Sequence, residues 1–301
     1  MLSLLRKMWP FGPGAGSGSG VVDGSVAALV SDLHLELVPM SSVEQAIAEL
    51  PDGSQLSVTC SPVKGIAATR ALTERLVAAG HVPVPHLAAR MVAGPAEAAE
   101  LAAWIRTLGL AEVFVIAGDA PTPTGAYEGT LGFLADLLSS SPDVERIGIA
   151  GYPDGHAAIA AEVLHEQLHA KQQLLAEHGV GGWVSTQMCF DAATVRNWIE
   201  AERAAGLSLP IRLGVPGVVD RTRLMSMGVR LGIGSSLRYL AKNRSTVLSM
   251  IAPGGYDPTD LVTALAPDAE RLGIESLHCF TFNSVADTVA WRDALIAAAS
   301  E

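Results

Sequence analysis

The sequence contains no apolar run approaching the roughly 20 residues that a membrane-spanning helix needs, although 49% of its 301 residues are hydrophobic and its mean hydropathy is +0.33. That apolar content belongs in a folded core, and no membrane partner is expected. Basic residues are scarce: 20 Lys and Arg stand against 31 Asp and Glu, a formal charge of −11. Such a surface repels phosphate polyanions, which argues against nucleic-acid binding but still allows a local basic pocket for a small acidic ligand. Only three cysteines occur, Cys60, Cys189 and Cys279, far apart and each within an apolar run. They suit buried thiols in a reducing cytoplasm, not a disulfide frame or a Cys-x-x-Cys metal site. Met1 to Phe11 lacks the long apolar stretch and cleavage site of a signal peptide, so secretion is not expected and the chain is read as cytoplasmic.

Other absences narrow the chemistry. No strand-like run leads directly into G-x-G-x-x-G, the mark of an open dinucleotide-binding sheet, and no G-x-S-x-G or Cys/His arrangement points to a hydrolase. The glycine-rich stretch Gly12 to Gly20 (GPGAGSGSG) follows no strand and reads as a flexible linker. Residues 1–20 are therefore taken as an arm outside the fold, and 21–301 as one domain.

From Ala27 onward, short β-prone runs alternate with Ala/Leu-rich stretches of helical period, the pattern of parallel βα units. Strands are expected near Ala27–Val38, Gln55–Ser61, Val82–Ala88, Glu112–Gly118, Arg146–Tyr152, Trp183–Phe190, Ile211–Val219 and Ser276–Phe282. Helices are expected at Val43–Leu50, Ile66–Ala79, Pro95–Leu108, Thr130–Leu138, Ala157–Glu177, Ala192–Ala205, in turns within Arg221–Asn243, and at Pro258–Leu272 and Val285–Ala299. Asp191 and Ser284 are placed to cap helix starts, and Gly80, Gly109, Gly179, Gly206 and Gly273 to end helices. Eight strands in this rhythm predict an α/β fold, a (β/α)8 TIM barrel of about 250 residues.

Chemistry in such a barrel sits at the carboxyl ends of the strands. The expected ends carry Glu36, Thr59, His86, Asp119, Tyr152, Gln187 and Asn283. Each has a plainer reading beside the functional one. Asp119 in GDAP and Asp154 in YPDG are equally at home as turn formers; His86 suits a hydrogen-bonded core histidine; Thr59 suits any strand; Tyr152 and Gln187 can satisfy nearby backbone. Glu36 is harder to dismiss, because alternation in LHLEL puts Asp32, His34 and Glu36 on one face, and an interior carboxylate needs a partner or a task.

Two further groupings are weaker. His165 and His169 have i, i+4 spacing suited to zinc, but with no further spaced ligand they read as a solvated helix face, and no metal is expected. Gly228, Gly232 and Gly234 with Arg230 and Arg238 could cradle a phosphate, on glycine spacing that is a weak signal by itself.

In order along the chain, LHLELVP, SVTCSP, VPHLAA, VIAGDAP, IGIAGYPDGH, VSTQMCFD, PIRLGVPGVVD and LHCFTFN resemble the strands of the methylenetetrahydrofolate reductase family, from about Leu33 to Leu295. GYPDGH is close to the family's G-Y-P-E-x-H, and STQMCFD to its I-T-Q-x-x-F-D. The resemblance implies a (β/α)8 barrel that reduces 5,10-methylenetetrahydrofolate to 5-methyltetrahydrofolate with NADH or NADPH, usually through FAD. It assigns Glu36 as the catalytic acid, Asp119 and Gln187 to the folate, and Thr59, His86 and Tyr152 to the cofactor. The implied partner is a small folate, and self-association into a homo-oligomer is left open.

The flavin contacts depart from the family pattern. Ala117 replaces the arginine of R-G-D, Gln173 replaces the second lysine of K-x-K in KQQLLAEHG, and the glycine-rich turn after the second strand reads SPVKG. Losing charged phosphate contacts weakens a dinucleotide's hold, which speaks against FAD. The departures fit the flavin-independent branch of the family, with hydride passing directly from NADH. The competing expectations are a conventional FAD enzyme and, from another class, a folate-binding or regulatory barrel without catalysis.

Overall fold

The computed structural model describes residues 24–219 and 256–300. Its frame begins with α1 (Gly24–Ser31), β1 (Leu33–Leu37), α2 (Val43–Ala48), β2 (Gln55–Val58), α3 (Gly65–Ala78) and β3 (Val82–Ala88). It continues through α4 (Pro95–Leu108), β4 (Glu112–Ile116), α5 (Thr130–Ser139), β5 (Arg146–Gly151), α6 (Ala161–Glu177), β6 (Gly181–Thr186), α7 (Ala192–Ala204) and β7 (Ile211–Pro216). The last part is α8 (Thr259–Leu265), α9 (Ala269–Leu272), β8 (Ile274–Phe280) and α10 (Val285–Ala298). All eight strands are parallel and in chain order, and β8 pairs with β1 to close the barrel. The expected (β/α)8 TIM barrel is therefore the fold.

Three expected elements change. The run from Ala27 does not begin the first strand. It lies in α1, which buries Val26, Leu29 and Val30 at helical spacing and packs against α10 and β8. A short apolar run does not by itself distinguish a buried strand from a buried helix. The helix expected over Pro258–Leu272 is two helices joined by a 3-10 turn at Ala266–Asp268, where Pro267 supplies no backbone N–H. The helix expected from Ala157 starts at Ala161. The arm over 1–20, the turns within Arg221–Asn243, and Gly228, Arg230, Gly232, Gly234 and Arg238 lie outside the described residues.

The caps follow chemistry. Asp191 accepts from Ala193 N at 3.0 Å and from the Thr194 hydroxyl at 2.8 Å, whereas Ser284 makes no side-chain capping bond. The five helix-ending glycines all have positive φ, as left-handed termini require.

The main apolar core lies between strands and helices. Inside the barrel, among the described residues, Val84, Phe114 and Trp183 form an apolar cluster, and His34, Glu36, Ser57, His86, Arg212 and His278 are buried polar groups. Trp183 lies across the interior because its register partner is Gly148, where a Cβ would fall 2.4 Å from the indole. Beneath it, at the amino ends of the strands, Arg212 makes a two-pronged pair with Glu112 at 2.7 and 2.8 Å and reaches Glu275 at 2.9 Å. Arg146 joins Glu275 at 2.6 Å, and the Arg212 guanidinium stacks 4.1 Å above the Trp183 ring. This plug closes the base of the barrel and leaves the carboxyl end for chemistry.

Candidate active site

Glu36 lies towards the carboxyl end of β1, buried in the barrel. Its surroundings come from β8. His278 Nε2 lies 3.1 Å from Glu36 Oε2, and the Thr281 hydroxyl donates to the Glu36 backbone carbonyl. His278 Nδ1 is 3.5 Å from Ser57 Oγ, so a polar chain crosses β2, β8 and β1. The imidazole is the partner that a carboxylate inside a barrel needs.

His86 enters the same space from β3. Its ring meets Phe114 edge-on at 4.7 Å and lies 6.0 Å from the His278 ring. Burial, reinforced by the charge of His278, pushes the His86 pKa well below the ordinary histidine value, so the ring is neutral at pH 7. Its Nε2 and the Thr59 hydroxyl are buried with no hydrogen-bond partner among the described residues. Deeper in the barrel, His34 Nδ1 and Ser276 Oγ are orphaned too. Burial first, and then the charges of Arg212, His278 and Arg146, hold His34 down to about 2.

The other expected site residues form a rim. Asp119 is exposed and follows Gly118, whose φ is +84° and where a Cβ would meet Ala88 Cβ at 2.8 Å. Only glycine suits that turn. Arg90 holds the same loop, donating to Ala120 O at 2.8 Å, Pro121 O at 3.0 Å and Glu128. Tyr152 follows β5; burial, and after it the negative charge of Asp119, raise its phenol pKa. Gln187 donates its backbone N–H to Gly151 O at 2.8 Å, and its Oε1 accepts from Met188 N at 2.9 Å. The backbone-satisfying role thus holds for Oε1. Glu36 and His86 are brought together through His278, while Tyr152 gathers with Asp119 and Gln187. No hydrogen bond joins the two groups among the described residues.

Asn283 has a structural task at the strand ends. Its side chain accepts from Val38 N at 2.8 Å and donates to Val38 O at 2.9 Å, stapling the end of β8 to the end of β1. His278, Ser57 and Thr281 were missed from the sequence. Alternation of Ser276, His278 and Phe280 along strand eight was the available signal for His278.

The positions that depart from the flavin pattern are now placed. Ala117 supplies no cation. Gln173 donates to Glu177 at 2.8 Å on the outer face of α6. Lys171 is buried without an ion-pair partner among the described residues, and burial lowers its pKa to about 8. The His165/His169 pair is more than a solvated face. Glu202 of α7 brings Oε2 to 2.9 Å from both His165 Nδ1 and His169 Nε2.

The family model for methylenetetrahydrofolate reductase matches residues 54–227, more than half of the chain and all of β2 to β7. The chain belongs to the methylenetetrahydrofolate reductase family. Thr59, His86, Asp119, Tyr152 and Gln187 fall within the matched stretch; Glu36 and His278 flank it and meet where β8 closes on β1. Among curated members, methylenetetrahydrofolate reductase 2 of Saccharomyces cerevisiae is 30% identical over 122 residues, covering 38% of this chain and 19% of the yeast protein. Methylenetetrahydrofolate reductase 1 of Schizosaccharomyces pombe is 28% identical over 116 residues, covering 36% and 18%. The match thus spans about a fifth of these relatives' length. Among solved structures, a Clostridium thermocellum protein described as binding two copies of 5-methyl-5,6,7,8-tetrahydrofolic acid shares the fold. Its TM-score is 0.52 at 12% identity, over 89% of this chain and 93% of that one. Among the described residues of this family member, no helix is long and apolar enough to cross a membrane.

Proposed function

We propose that this barrel reduces 5,10-methylenetetrahydrofolate to 5-methyltetrahydrofolate, with Glu36 as the acid and with NADH or NADPH supplying the hydride directly. One observation carries the reading: in a chain of this family, a buried carboxylate stands near the carboxyl end of β1, held by His278. Glu36 gives its proton to a nitrogen of the methylene bridge. The carbon–nitrogen bond then breaks towards that nitrogen and leaves an iminium carbon open to a hydride. On the rim, Asp119 accepts and the Gln187 amide nitrogen donates, which suits the mixed edge of a pterin. Holding the folate in one pose supplies much of the rate.

Among the described residues, those at the family's flavin positions do not fit a flavin diphosphate. Ala117 is uncharged, Gln173 bonds along its own helix, and Lys171 is buried. The site residues do fit a nicotinamide: the Thr59 hydroxyl and neutral His86 Nε2 are buried polar atoms without partners among the described residues, and Tyr152 adds a phenol at the carboxyl end of β5. These three residues would hold and orient the ring. Residues 21–301 are taken as the catalytic unit.

The test is the absorption spectrum of the pure protein followed by an assay with methylenetetrahydrofolate, NADH and no added flavin. The expected result is a colourless protein that forms methyltetrahydrofolate, with intersecting kinetics that mark a ternary complex. A yellow protein with ping-pong kinetics, or activity only after FAD is added, overturns direct transfer. No activity with either donor, with or without FAD, overturns the reductase reading.

A further inference from the structure

We infer that His165, His169 and Glu202 form a divalent-cation site of the zinc type, outside the reaction centre. His165 and His169 stand one turn apart on α6, so both rings leave the same face, with centroids 4.5 Å apart. Sequence spacing offers only these two ligands, and α7 supplies the third. Val195, Ile199 and Glu202 are the buried positions of that helix, so a carboxylate occupies a place on the apolar stripe. Its side chain is only 9% exposed. Such a placement is costly unless the charge is met. Here Oε2 turns to both imidazoles at 2.9 Å.

The three ligand atoms lie within 4.8 Å of one another. Zinc takes imidazole nitrogen and carboxylate oxygen at about 2.0–2.2 Å in a tetrahedron, which requires neighbouring ligand atoms to be about 3.4 Å apart. Opening the two 2.9 Å contacts by roughly half an ångström, and bringing the two ring nitrogens, which lie within 4.8 Å, to the same separation with each lone pair turned inward, reaches that geometry. His165 and Glu202 also line a cavity of about 160 Å³, shared with Tyr152, Gly155 and Trp198. It has room for the fourth ligand, a water. Two imidazoles and a carboxylate suit Zn²⁺ and Co²⁺ and disfavour Mg²⁺ and Ca²⁺, which prefer oxygen donors. The bound cation would brace α6 against α7 behind the loop that carries Tyr152.

The full chain, stripped with a chelator, is titrated with Co²⁺ and then with Zn²⁺. One equivalent of Co²⁺ should give the visible bands of a tetrahedral nitrogen–oxygen site, and Zn²⁺ should abolish them. Zn²⁺ at about a hundred times its Kd should raise Tm by about 5 °C. Both effects should disappear in His165→Gln and His169→Gln, whose metal-free Tm reports folding independently of the metal. Glu202→Gln should weaken binding at least tenfold.

Glu36, His86 and His278 also bring ligand atoms within 4.8 Å of one another, which makes His86→Gln the control. Binding that survives His165→Gln and His169→Gln, or is lost in His86→Gln, overturns the proposal. So do thiolate charge-transfer bands or a failure to reach one equivalent. None of these readouts depends on turnover, so the outcome is separable from that of the reductase reading.

Discussion

His278 of β8 holds Glu36 of β1 by a 3.1 Å contact across the seam where the barrel closes. Glu36→Gln keeps the shape and removes the acid. The loss in kcat/KM for methylenetetrahydrofolate should be about 10²- to 10⁴-fold, with the Tm little changed. His278→Gln leaves the acid but loosens its aim, so kcat should fall by less while the folate KM holds. Steady-state kinetics on both variants decides the point, and an unimpaired Glu36→Gln enzyme rules out the acid role.

Lys171 gives a pH-dependent test. Its pKa is about 8 in the fold against an ordinary 10.5, so between those values the unfolded chain binds more protons and stability rises with pH. Below pH 8 both states are charged, and the fold carries the cost of burying the ammonium. The difference of about 2.5 pH units corresponds to on the order of 3 kcal/mol. Lys171→Met should therefore raise Tm at pH 7 and show much less gain near pH 10. Melting curves at the two pH values should diverge; parallel gains would mean that burial is not the cause.

At the base of the barrel, Arg212 meets Glu112 and Glu275. Arg212→Met leaves both acids facing each other without that cation, and urea unfolding should show a loss of about 3–5 kcal/mol. Arg212→Lys should recover only part, since an ammonium cannot reproduce the two-pronged contact with Glu112.

Gly148→Ala puts a methyl group where the Trp183 ring lies, 2.4 Å away. Overpacking of this kind costs about 1–3 kcal/mol. The ring has to shift, so the substitution should also change Trp fluorescence in the folded state. An unchanged spectrum and an unchanged midpoint together would show that the barrel interior has slack.

Local signals were strong enough to read much of this fold. The helix Pro95–Leu108 matches the expectation at both ends, because Pro95 opens it and Gly109 closes it in the left-handed conformation. The strand Val82–Ala88 matches as well. Where reading failed, the deciding neighbour was distant in sequence. Whether Ala27 begins a strand or lies in a helix depends on packing against β8 and α10. That Glu36 is held by His278 depends on ring closure over 242 residues. Glu202 lies 33 residues beyond His169, on another helix, and no spacing rule within one element can find it. The residues inside the matched stretch were legible through motif, whereas their division into an interior group and a rim group is a property of the closed barrel alone.

Among the described residues, the ion-paired plug under Trp183 closes one end of the barrel and makes it a cup open at the carboxyl ends of the strands. In the proposed direct transfer, folate and nicotinamide would both use that opening in turn. Whichever settles deeper has to arrive first and leave last, and an excess of the outer molecule blocks the inner one from entering. In that reading the order of entry and exit becomes part of the kinetics, beside the chemistry above Glu36.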